Sequence, residues 1–160
     1  MIQSRIKIGE GGIENLYDTY KFIHIETDTR FESPIKKRDV TSYAEEAGEH
    51  VDPRTVQDAF DYSAQFVVEA PNNDLSNANA IISAFNKKLY TQEEGSNIRV
   101  YKEVIFYNDF KRIKIVGIPE PIQEAKKFYR RQDGTVMDCV QVTFKIRVSD
   151  PSKCDFNNSK

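Results

Sequence analysis

From Met137 to Val148 the chain alternates residue by residue. Val140, Val142, Phe144, Ile146 and Val148 share one parity, and Gln141, Thr143, Lys145 and Arg147 share the other. A period of two belongs to a β-strand with one buried and one wet face. Wound as a helix, the same residues would scatter their apolar set around the whole circumference. The segment therefore commits the fold to a sheet with one solvated face, which is the habit of antiparallel sheets.

A second stretch obeys the same rule. Phe60, Tyr62, Ala64, Phe66 and Val68 fall on one face, with Asp61, Ser63, Gln65 and Glu69 opposite; Pro71-Asn72-Asn73 then supplies a strand stop and a turn. Tyr20 to Glu26 is a further strand candidate. Tyr20, Phe22 and His24 point one way and Ile23 and Ile25 the other, so cover on both faces is expected. Arg99–Tyr107 and Phe110–Ile118 form a predicted hairpin about Asn108-Asp109, a pair that tolerates positive φ. Phe128 to Arg131 pairs with the last strand through the turn signal Asp133-Gly134.

The period changes only between Asp74 and Tyr90. There Leu75, Ala78, Ile82, Phe85 and Leu89 recur at spacings of three and four, and Ile81 widens the stripe. Asn73 or Asp74 caps the first turn, while Lys87 and Lys88 suit the negative end of the helix dipole. The predicted fold class is mainly β (α+β): an antiparallel β-sandwich or barrel with one inserted α-helix at about residues 74–90. No strand–helix–strand unit occurs, which argues against a doubly wound sheet.

The predicted organisation is a flexible N-terminal arm over 1–19, a single domain over 20–150 and a disordered tail over 151–160. Within the domain, residues 27–54 are polar and charged and contain Pro34, Gly48 and Pro53. A span of that length without clear structure is uncommon in a compact domain and is often functional. Thr41–Glu46 reads equally as a short helix or an edge strand.

Composition excludes several classes. With 23 basic and 25 acidic residues the net charge is −2, so no global field favours nucleic acid. The stretch Lys126-Lys127-Phe128-Tyr129-Arg130-Arg131 interleaves cations and aromatics as single-strand binders do. It reads better as a strand with its cations in solvent. No apolar leader begins the chain and no apolar run approaches the ~20 residues of a membrane span; a cytoplasmic origin is expected.

Catalytic and metal constellations were sought in turn. Cys139 and Cys154 show no metal spacing, and Cys139 carries the parity of the polar face. Neither cysteine opens a helix where its thiol would be activated. His24 lies inside a strand and reads as a packed residue. Glu46 and His50 stand four apart, as two ligands on one helical turn would, but Gly48 argues against that helix and a third ligand is missing. Gly9-Glu10-Gly11-Gly12 is shorter than a phosphate-binding loop and lacks its lysine. No cofactor, metal or catalytic residue is expected, and the chain reads as non-enzymatic.

The order of elements is similar to the tail-tube and distal-tail module of long-tailed bacteriophages and prophages. A charged extended segment precedes the strand Phe60–Glu69, which runs through Pro71-Asn72-Asn73-Asp74 into a single helix. The segment VYKEVIFYNDFKRIKIVGIPEPI and the strand Val136–Val148 follow. The resemblance is one of layout over about residues 20–150 and carries no diagnostic motif.

The resemblance implies a structural component of a tail, located in a virion or in the cytoplasm of a bacterium that carries a prophage. It implies a homo-oligomeric ring, of six copies, joined through β-sheet edges, with other tail or baseplate proteins as further partners. No membrane and no sequence-specific nucleic acid would be bound. In such a ring Lys36, Lys37, Arg38, Glu45, Glu46 and Val51 belong to an assembly arm, and Gln141, Thr143, Lys145 and Arg147 face the lumen or an interface. The alternative is a small β-sandwich domain holding a lipid or glycan in a pocket lined by aromatics such as Phe60, Tyr62 and Phe66.

Overall fold

The computed structural model describes residues 4–27, 34–36, 40–41, 50–51, 56–70, 74–132 and 135–156. Its centre is one curled, antiparallel, eight-stranded sheet. The strands are β1 (Ser4–Ile8), β2 (Ile13–Asn15), β3 (Phe22–Thr27), β6 (Phe60–Glu69), β9 (Val104–Asn108), β10 (Ile113–Pro119), β11 (Gln123–Gln132) and β12 (Thr135–Val148). They run in the order β2-β1-β9-β10-β12-β6-β3, and β11 pairs with β12.

The two alternating segments find each other. Ten residues of β12 pair with ten of β6, from Cys139 opposite Glu69 to Val148 opposite Phe60. The apolar set of each points inward: Val140, Val142, Phe144, Ile146 and Val148 are buried, as are Phe60, Tyr62, Ala64, Phe66 and Val68.

The sheet folds over where β10 meets β12, a junction of two residue pairs, Ile118 with Arg147 and Pro119 with Ile146. Gly117 makes that crossing possible. A Cβ built there would lie 2.4 Å from the Arg147 carbonyl oxygen, a distance no side chain tolerates. Phe106 on one half of the folded sheet then meets Phe66, Tyr62 and Phe144 on the other, with ring centroids 5.9–6.4 Å apart.

The helix is as the apolar spacing requires. α2 (Leu75–Lys88) starts at Asp74, whose carboxylate accepts from the Ser76 amide, and ends with Lys87 and Lys88 in its last turn. Asn73, the other candidate cap, lies outside the described residues with Pro71 and Asn72. Phe85 is fully buried and packs edge-on against Tyr20, Phe22 and Phe144. The Asn86 side chain reaches across to the connection before β11, where Oδ1 accepts from the Ile122 amide at 2.8 Å and Nδ2 donates to its carbonyl at 3.3 Å.

Several expectations are corrected. Of the flexible arm expected over 1–19, residues 4–19 form β1, β2 and the first turn of a helix, with β1 inserted between β2 and β9 and Ile6 completely buried. Tyr20 is helical rather than extended. It ends α1 (Leu16–Tyr20), a short helix capped by Asn15 and closed by Lys21 at φ +61°. The signal was present in Asn15 followed three residues later by Asp18. β3 buries Phe22 and His24 on one side; on the other, Ile23 is half-buried and Ile25 exposed, so cover of the second side is partial. The strand expected over 99–107 is broken at Lys102 and Glu103. Its first part, β8 (Arg99–Tyr101), pairs with β7 (Tyr90–Gln92) in a separate two-stranded hairpin.

In the β9–β10 turn the left-handed residue is Arg112 at φ +56°, rather than Asn108 or Asp109. The Asn108 side chain accepts instead from the amides of Phe110 and Lys111. Asp133-Gly134 lies outside the described residues, flanked by the pair Gln132–Thr135. The tail is docked through residue 156. Pro151–Lys153 form a 3-10 turn, Asp155 exchanges backbone bonds with Lys114, and Phe156 packs on Phe60.

The charged stretch after β3 is also not structureless. The Lys36 amide donates to Val56 and the Asp58 amide to Pro34, and Ile35 pairs with Gln57. Farther out, β4 (Val40–Thr41) pairs with β5 (His50–Val51). Residues 34–36 and 56–58 are thus the two sides of a short antiparallel ribbon. Thr41 and His50 are strand residues, and Glu46 lies outside the described residues.

Candidate functional site: sheet face, ribbon and end groove

Gln141, Thr143, Lys145 and Arg147 stand in a row along β12, on the face turned away from the core. Gln141 and Thr143 are half-buried, and Lys145 and Arg147 are exposed. β6 supplies the next row, with Arg147 opposite Asp61, Lys145 opposite Ser63 and Thr143 opposite Gln65. Arg147 and Asp61 form an exposed ion pair at 3.4 Å, and the Gln141 amide donates to Gln65. Exposed pairs of this kind contribute little to stability, so the row is a polar surface rather than a structural network.

Parity failed at one end of this face. Cys139 belongs to the polar row, yet it is 0% exposed, and Val67 beside it is buried as well. Alternation tells which face a side chain is on; what lies over that face decides whether it is wet. Cys154 is half-buried beside β10, where it accepts from the Val116 amide at 3.4 Å. Burial pushes its thiol pKa up, against activation.

Of the residues assigned to an assembly arm, Lys36 is exposed at the base of the ribbon and Val51 lies in β5, opposite Val40. Lys37, Arg38, Glu45 and Glu46 lie outside the described residues. At the base, Ile35 is 45% and Val56 61% exposed. Ile35 shares a face with Gln57, so Val56 lies on the other. The ribbon thus carries an exposed apolar residue on each face.

Three strands of the sheet pair on one side only among the described residues: β2, β3 and β11. β11 is ten residues long, and its pairing with β12 runs past Cys139–Glu69, where β6 stops.

The cavity imagined around Phe60, Tyr62 and Phe66 is filled. All three are buried, and Tyr62 and Phe66 lie in ring contact with Phe106. Elsewhere, an open groove of about 540 Å³ lies at the end of the sheet where β1 leaves it. The turn Gly9–Gly12 lines one side, and Tyr20, Lys88 and Lys102 line the other. The sequence set this turn aside as shorter than a phosphate-binding loop and without its lysine; in the fold it directly follows β1. Tyr20 donates to Glu14 and accepts from Lys88 at 3.2 Å, with the ammonium also above its ring. Burial, then the bond to Glu14, pushes the Tyr20 pKa well above its ordinary value.

Among the described residues no group of three or more His, Cys, Asp or Glu side chains could hold a metal ion. No described helix is long and apolar enough to cross a membrane.

The architecture defines a mainly antiparallel β fold with one long helix laid on a curled sheet. Among solved structures it is similar to the Dit (gp 19.1) protein of SPP1, described as a paradigm of the hub adsorption apparatus in phages that infect Gram-positive hosts. The TM-score is 0.53 at 15% identity, over 92% of this chain and 50% of that one. The chain thus spans about half the length of that protein, and the likeness is one of fold. No protein-family model and no curated protein matches the sequence.

Proposed function

We propose that this chain is a structural, non-enzymatic component of a phage or prophage tail, of the tail-tube or distal-tail kind. It assembles into a homo-oligomeric ring of six copies and acts within a virion, or in the bacterial cytoplasm before assembly. The observation that carries the reading is the fold, which follows a tail hub protein over nearly the whole of this chain. The edges of β3 and β11 that pair with nothing among the described residues support it, since a closed ring pairs the edges that would otherwise invite aggregation. The short ribbon of residues 34–36 and 56–58 supports it too. A two-stranded ribbon is marginal by itself, and Ile35 and Val56 on its two faces gain cover from a neighbouring subunit or tail protein. Gln141, Thr143, Lys145 and Arg147 then form the wet lining of the ring.

The test is mass in solution by light scattering over a concentration series, with negative-stain images of the largest species. A ring of six 18.5 kDa chains is the expected result. A monomer at every concentration, with the purified chain folded, overturns self-assembly.

A further inference from the structure

We draw no further inference here: the strongest candidate, the exposed apolar patch of Ile98 and Val100 on the β7–β8 hairpin, carries none, because nothing in the structure shows what covers it.

Discussion

Gly117 and Tyr20 show how much one position can carry. The fold of the sheet at the β10–β12 junction requires the absence of a Cβ at Gly117, because the obstruction is the Arg147 backbone oxygen rather than a side chain that could swing away. Gly117→Ala is expected to destabilise the protein by about 3 kcal/mol, read as a shift in the denaturant midpoint. Tyr20 gives a pH signature. Its folded pKa lies above the ordinary phenol value of 10.0, so above pH 10 the unfolded chain loses a proton that the folded chain keeps. The stabilisation is complete below pH 10 and declines as pH rises beyond it. Thermal midpoints taken between pH 9 and 11 should therefore fall less steeply in Tyr20→Phe than in the parent. Equal slopes would show that the phenol is not differentially protonated.

At the scale of elements, the helix and the ribbon are held in different ways. α2 is fixed by an apolar stripe centred on Phe85 and by the Asn86 clamp on Ile122. Phe85→Ala should cost about 3–5 kcal/mol in chemical denaturation, the usual range for a buried aromatic. Asn86→Ala leaves the amide and carbonyl of buried Ile122 without their side-chain partner and should cost about 1–3 kcal/mol. The ribbon is held at its base by the backbone ladder between residues 34–36 and 56–58. Replacing residues 36–56 by Asn-Gly, which joins the paired Ile35 and Gln57 through a two-residue turn, should leave the thermal midpoint of the sheet within a few degrees. The ring should be lost. Rings of the shortened chain in negative stain would remove the ribbon from assembly.

For the molecule as a whole, the expectation is closure. On the proposed reading, the edges of β2, β3 and β11 that pair with nothing among the described residues are closed by copies of the same chain. The exposed ions on the polar face, Lys145, Arg147 and Asp61, contribute chiefly to solubility. Reversing Lys145 and Arg147 to glutamate should move the thermal midpoint little, because surface pairs are worth about 0–1 kcal/mol. Had the row been a buried interface, the same reversal would abolish the oligomer. Light scattering of that variant beside the parent separates lumen from interface.

The sequence by itself determined the faces. Alternation in β6 and β12 named their buried residues, spacings of three and four named the α2 stripe, and Asn73-Asp74 marked the helix start to within one residue. All of these are local regularities, written within a few residues of one another. Cys139 marks where local reading ends, since parity assigned its face and only the packed structure decided that this end of the face is covered. The tertiary structure also decided partnership. It inserted β1 between β2 and β9, divided one edge of β12 between β10 and β11, and paired residues 34–36 with 56–58. Those choices depend on contacts between residues far apart in the chain. A strand's own pattern is satisfied equally well by any partner that covers the same face.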